Sequence, residues 1–302
     1  MKVWTSLDAQ VQRHLDRGLE LGDVERSHFA MFLYSSNYYR VSGYARCFYD
    51  PSKMNDRYRE GTKAATLMDV YDLDRAVRNA VLDGVSVVEP TLRSRVAYHL
   101  TRVIGGGDAY LSEELYLPEG SEPDAADETA HRKWVSELNN RNHVLASLTE
   151  LQGRDEIFIR HHLKKGEPIP FWAAIEVVSI GTFSRFLRAL RDRSVLDPVV
   201  TSLDFEDERK FLQAVQNIAF IRNIAAHHGR LWNRRLDGYV TLPKIALEVK
   251  RGYLAPKTPA AAFTLLAGMV DQIEKKSAYS NHLLNLVHST PEIAEGYYVP
   301  IL

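Results

Sequence analysis

At 302 residues, with 45% hydrophobic and 25% charged side chains, the chain has the composition of an ordinary water-soluble globular protein and the length for one large or two ordinary domains. A formal net charge of −1 excludes a global field that would gather nucleic acid, so any RNA site must be a local basic patch. The single cysteine, Cys47, rules out an intramolecular disulfide framework and a cysteine-based zinc cluster, and suits a reducing cytoplasm. Met1-Lys2-Val3-Trp4-Thr5-Ser6 lacks an apolar signal core, and the longest smooth apolar run, Ala260 to Val270, is too short to span a bilayer. The expectation is a cytoplasmic protein with no membrane partner.

Residues 1–60 read as an N-terminal helical and aromatic extension. Leu7, Val11 and Leu15 fall on one side of a first helix. Phe29 to Val41 follows, and there and just beyond it Tyr39, Arg40, Tyr44 and Arg46 suit either base stacking or an aromatic core with a polar rim. Asp50 to Gly61 is a turn-rich connector. A helical core is assigned to residues 61–250. It opens with Val70, Leu73, Val77, Val81, Val85, Val88, Leu92, Val96 and Leu100, stepping by threes and fours as one long amphipathic helix that Pro90 is expected to kink or break. Arg93 and Arg95 flank the stripe, either as RNA contacts or as a solvated face. Gly105-Gly106-Gly107 follows a helix and not a strand, so it is a C-cap and turn and no nucleotide fingerprint.

Within residues 117–128 lies an acidic, proline-containing loop, expected to lie away from any phosphate-binding site. Trp134, Leu138, Val144, Leu145 and Leu148 mark another helix, followed by an Arg160-His161-His162 cluster that is either structural or RNA-contacting. Pro168 and Pro170 open the next helix, with Trp172, Ile175, Val178, Ser179, Thr182, Phe183, Phe186 and Leu190 on its buried side. Glu176 beside that face either pairs with a core arginine or orients a catalytic histidine. Arg185, Arg188, Arg191 and Arg193 form a basic edge opposed only by Asp192, and Asp197-Pro198 interrupts the pattern. Residues 251–302 form a C-terminal helical segment, with a helix from Ala260 to about Val287 and no clear period after Pro291. Strand signals are sparse, so the fold class is all-α.

The segment Phe220 to Arg235 (FIRNIAAHHGRLWNRR) crowds cations, two histidines, an asparagine and a tryptophan together without a carboxylate. Its helix begins with Asp204 as N-cap and Asp207 facing the positive end of the dipole, and Gly229 is expected to stop it, placing both histidines in the last turn. Asn223 and His227 then share one face, with Arg222 about 100° away. A helix C-terminus favours the protonated imidazole, which suits His227 to acid–base work. Arg222 offers a donor fork for phosphate oxygens, and Asn223 an amide for a ribose hydroxyl or a tautomer. The same residues are also suited simply to satisfying a helix end.

Arg222-Asn223-x-x-x-His227 resembles the signature of HEPN-domain ribonucleases, and the longer string RNIAAHHGRLWNR, with YDLDRAVRNAVLDGVSVVEPTLRSRVAYHL and PFWAAIEVVSIGTFSRFLRAL upstream, is similar to the Abi family of abortive-infection proteins. Gly84 and Pro90 depart from that family's pattern. The resemblance implies a HEPN-like multi-helix bundle with helical N- and C-terminal extensions, acting in phage defence or as a toxin. It implies metal-independent RNA cleavage with no cofactor, Arg222, Asn223, His227 and His228 being catalytic. Arg230, Arg234 and Arg235 would grip RNA backbone, Arg185 and Arg188 add phosphate contacts, and Trp232 either stacks on a base or belongs to the core. One motif copy per chain implies a homodimer with a composite site, and a neutralising or activating partner is left open. Two other readings compete: a non-catalytic RNA- or protein-binding module that keeps the motif for phosphate contact, and a metal enzyme using Glu25-x-x-His28 and Glu128-x-x-His131.

Overall fold

Period-three-and-four patterning with almost no alternation can bury its apolar stripes only by packing helix on helix, and it does so here. The computed structural model describes residues 4–153, 155–244, 246 and 254–301. Among these are thirteen α-helices and no β-strand, an all-α multi-helix bundle. They are α1 (Leu7–Asp16), α2 (Arg26–Ser36), α3 (Tyr38–Ala45), α4 (Ala64–Ile104), α5 (Glu128–Thr149), α6 (Ile157–Lys165), α7 (Phe171–Val177), α8 (Ile180–Ala189), α9 (Asp197–Ser202), α10 (Glu208–Ala226), α11 (Pro259–Glu274), α12 (Ala278–Val287) and α13 (Pro291–Tyr298). The predicted boundary at residues 250 and 251 lies outside the described residues. One hydrophobic cluster nevertheless runs from Val11 to Tyr297, joining all three predicted segments. No described helix is long and apolar enough to cross a membrane.

The spine is α4, about 60 Å long at 1.5 Å per residue. It packs against α7, α10, α11 and α12. The break expected at Pro90 does not occur. Pro90 costs the helix one backbone bond, about 3 kcal/mol. Val85, Val88 and Leu92 around it are buried, each worth about 1.5–3 kcal/mol, so packing outweighs the lost bond. The other family departure, Gly84, has a packing reason. A Cβ there would stand 2.3 Å from the Tyr279 hydroxyl oxygen, which donates to the Ala80 carbonyl at 2.8 Å. Glycine lets α12 dock onto α4.

Several predicted helices are subdivided. Asn37, in the left-handed region at φ 66°, separates α2 from α3 and accepts the Tyr39 N–H. Ser179 caps α8 by accepting the Thr182 N–H at 3.0 Å, splitting the expected single helix into α7 and α8. Trp172 and Ser179 are therefore exposed, against the buried side assigned to them. Asp197-Pro198 starts α9, with proline in its first turn. Left-handed Lys275 ends α11, and the tail after Pro291, aperiodic in sequence, forms α13.

In the N-terminal part, His14 is fully buried against the edge of Phe29. Its Nδ1 meets the Tyr58 hydroxyl at 2.6 Å, and Nε2 has no hydrogen-bond partner. Burial, and then the Arg17 and Arg13 charges, lower its pKa from 6.5 to about 4. The unfolded chain therefore takes up a proton that the folded chain refuses. Stability should be full above pH 6.5 and fall by about 3 kcal/mol as the pH drops to 4. Urea midpoints of the wild type and His14→Gln at pH 7 and pH 4 check this; equal acid losses in the two would contradict it.

Candidate functional site

The motif helix α10 buries Phe211, Leu212, Val215, Ile218 and Ile221 against α4 and α8. Its N-cap is Asp207, whose carboxylate accepts the Lys210 N–H at 2.7 Å. Asp204, expected in that role, lies outside the helix at φ 59°, and its carbonyl accepts the Lys244 N–H. The C-terminus also differs from expectation. The helix ends at Ala226, His227 is the C-cap residue, and His228 takes the left-handed conformation at φ 56°. The Gly229 N–H reaches back to Ile224 O at 2.7 Å and the His228 N–H to Ala225 O at 3.0 Å, the paired bonds of a Schellman turn. Histidine thus occupies the position where glycine is usual. Gly229 serves a different need: a Cβ on it would lie 3.1 Å from the Ile224 methyl and 3.2 Å from the Ile224 carbonyl oxygen.

Both histidines and Asn223 are exposed, and Arg222 is half-buried. Arg222 Nη1 donates to Asn223 Oδ1 at 3.2 Å, while Nε lies 4.0 Å from Glu89 Oε2. Glu89 also pairs with Arg93, whose guanidinium donates to the Glu176 carbonyl at 2.9 Å and the Val178 carbonyl at 2.7 Å. A carboxylate tied through Arg93 to the end of α7 thus lies beside the Arg222 guanidinium. Glu176, considered as a partner for the histidine, contributes its main-chain carbonyl to this anchor and leaves its side chain exposed. No hydrogen bond joins Arg222 to either histidine in this chain.

Beyond the turn, the basic segment divides. Leu231 N–H and Trp232 N–H donate to the two oxygens of fully buried Asp74, at 3.1 and 2.9 Å. The same carboxylate accepts from the hydroxyl of Tyr44 at 2.5 Å, from Arg78 at 2.6 Å and from Tyr297 at 3.2 Å. Burial, and then the Asp74 charge, push both tyrosine hydroxyls far above their ordinary range, so they remain donors. Trp232 cannot stack on a base: it is buried, stacks on Phe48, donates its indole N–H to Ile293 O at 2.8 Å and abuts Gly296. Arg230 is likewise turned inward, its Nη1 shared among the carbonyls of Trp232 and Asn233 at 2.7 and 3.0 Å and Cys47 Sγ at 3.2 Å. These two are structural. Arg234 lies over the Phe220 ring, and Arg235 is exposed. From the aromatic N-terminal segment, Arg40 donates to the His228 carbonyl and pins the turn, whereas Tyr44 belongs to the core.

Of the predicted basic edge, Arg191 pairs with Glu119 at 3.3 Å and Arg193 with Glu208 at 3.2 Å. Arg185 and Arg188 instead line a groove of about 870 Å³ between α5, α8 and α10 that also reaches Asn223. Burial, and then the Arg193 charge, lower the pKa of Arg188 from its ordinary value. No described residue of the acidic loop lines this groove. Asp127 at the loop's end caps α5, and Ala125 and Glu128 line a smaller hollow sharing Arg132 and Val135 with the groove.

Sequence reasoning missed Glu89, Asp74, Arg78 and the α5 wall of the groove. The first three carried a usable signal: Asp74–Arg78 and Glu89–Arg93 are each an acid four residues ahead of an arginine, set inside an apolar stripe. The Arg160-His161-His162 cluster lies on α6, where Arg160 pairs with Asp155 and His162 approaches Glu167. Among the described residues no three His, Cys, Asp or Glu side chains converge as a metal cage, and Glu128 and His131 have no such company.

The match to known sequences ends where this architecture closes. The model of the Abi-like protein family covers residues 31–233, from α2 through the helix end to the Asn233 that follows Trp232. No curated protein and no solved structure matches the chain. Coverage of well over half the sequence, with the motif helix and its α4 support inside it, settles membership. The chain belongs to the Abi-like protein family, whose role at the level of the family is abortive infection.

Proposed function

We propose that the chain is a metal-independent endoribonuclease of the HEPN type, acting in phage defence or as a toxin, with Arg222, Asn223 and one of the paired histidines as its working groups. One observation carries this reading. Arg222, bonded to Asn223 with Glu89 near its Nε, reaches solvent near the end of α10, which two exposed imidazoles follow, and Arg185 and Arg188 in the adjoining groove have no carboxylate within ion-pair distance among the described residues. An imidazole takes the proton of a ribose 2′-hydroxyl, and the freed oxygen attacks the adjacent phosphorus. The bond to the 5′-oxygen breaks, and that oxygen takes a proton from a second imidazole. The products are a 2′,3′-cyclic phosphate and a 5′-hydroxyl. Arg222 stabilises the charge that grows on the phosphoryl oxygens.

Arg222 and His227 are five residues apart, about 140° around an ideal helix, so one chain does not converge them on one phosphate. A twin chain meeting the first at this helix end supplies the missing partner. The test is incubation of total RNA with the protein in EDTA, alongside Arg222→Ala, with the cut ends identified. Cleavage in EDTA that leaves cyclic phosphate ends and vanishes in the variant is expected. Full activity in Arg222→Ala, or loss of activity on chelation, would overturn the reading. A strict monomer that cleaves would end the shared-site part alone.

A further inference from the structure

The groove beside the motif has no role in the proton transfers above, yet it is built for an anion. Arg185 and Arg188, three residues apart on α8, face into it from one side. Neither has a carboxylate within ion-pair distance among the described residues. Arg188 is half-buried, spends one guanidinium nitrogen on Gln216, and leaves its buried Nε without any partner. A partly desolvated guanidinium with no counter-ion is costly, and a phosphate arriving from solvent would relieve it. The acid on the opposite wall, Glu137, is offset by Lys133 at 3.9 Å.

The rest of the lining matches the other half of a nucleotide. Phe220, half-buried on α10 with Arg234 over its ring, belongs to the lining, and Asn139, Asn140 and Gln216 add side-chain amides, Asn140 donating to the Arg185 carbonyl at 3.1 Å. Amides and an aromatic face suit the exposed edges and faces of unpaired bases, which a duplex hides. From Gln216 to Asn223 the groove follows α10 for about 10 Å. Its lining ends at Asn223, the residue that accepts from Arg222.

We infer that this groove holds the single-stranded RNA arm flanking the cleaved phosphate, with Arg185 and Arg188 on its backbone and the amides and Phe220 on an unpaired base. The inference rests on the ribonuclease reading, but its test is separate. Binding of a fluorescein-labelled oligouridylate, and of a hairpin duplex of equal length, is measured by anisotropy in the uncleaving His227→Ala background. Arg185→Gln and Arg188→Gln should each weaken single-strand binding at least about tenfold. Each should also reduce the salt slope by about 0.7. Arg185 is exposed, so its variant carries no folding risk. Arg188→Lys keeps the charge and should keep the salt slope while losing affinity. With both groove arginines intact, the His227→Ala protein should prefer the single strand to the duplex.

Unchanged affinity and slope in both glutamine variants would overturn the inference, and if the wild type still cleaved RNA the ribonuclease reading would stand without it. Unchanged RNA affinity with loss of protection against phage would assign the groove to a protein partner, which also overturns it. Absence of cleavage by the wild type, with groove-dependent binding intact, would remove the ribonuclease reading and leave the groove as an RNA site.

Discussion

Asp74→Ala is expected to remove most of the stability of this protein, and the turn that carries the histidines should go with it. The carboxylate is fully buried and satisfies five donors: the guanidinium of Arg78, the hydroxyls of Tyr44 and Tyr297, and the main-chain N–H groups of Leu231 and Trp232. Removing one member of a buried ion pair costs about 3–5 kcal/mol because the other charge stays behind. Each orphaned buried N–H adds about 1–3 kcal/mol. Against a total of about 5–15 kcal/mol for a folded domain, the sum is close to complete unfolding. Urea unfolding should show a midpoint far below the wild type, or no transition at all. Asp74→Asn keeps one acceptor oxygen, enough for one of the two main-chain donors, so it should fall between the two. A wild-type midpoint in Asp74→Ala would mean that these bonds do not hold α4, α13 and the post-motif segment together.

That hub shows why part of the fold was legible and part was not. The apolar stripe of α4 could be read directly, since valine and leucine at helical spacing have one economical use. Asp74 and Arg78 sit among those residues and look like interruptions until three distant segments are seen to end on them. Tyr44 comes from α3, Leu231 and Trp232 from the motif segment, and Tyr297 from an aperiodic tail. Such convergence leaves no trace in local spacing. For the same reason Arg230 read as a nucleic-acid contact when it is a bracing group, and spacing left Trp232 open between base stacking and the core it joins. Arg185 and Arg188 were legible as cations, but α5, which forms the opposite wall of their groove, is remote in sequence. Helix ends were the least legible. Ser179, Asp207 and His228 mark boundaries through bonds to particular N–H and carbonyl groups, and neighbouring residues of the same type were equally good candidates.

The His228 conformation separates two histidines that spacing alone left equivalent. His227 follows Asn223 by four residues, so it stands on the face where Asn223 meets Arg222. His228 is held one step beyond, its backbone left-handed and its carbonyl tied to Arg40. On the ribonuclease reading, His227→Ala is expected to reduce cleavage by about 10²–10⁴-fold, the range for losing a general acid or base. The exposed side chain makes no hydrogen bond, so the unfolding midpoint should not move. His228→Gly should behave in the opposite way. Glycine removes a left-handed strain of about 1–2 kcal/mol, so the variant should unfold at higher urea and keep most of its cleavage rate. Cleavage rates and urea midpoints of the two variants, measured side by side, decide the assignment. An inactive His228→Gly beside an active His227→Ala would move the acid–base role to His228, and two fully active variants would leave the α10 end without a part in catalysis.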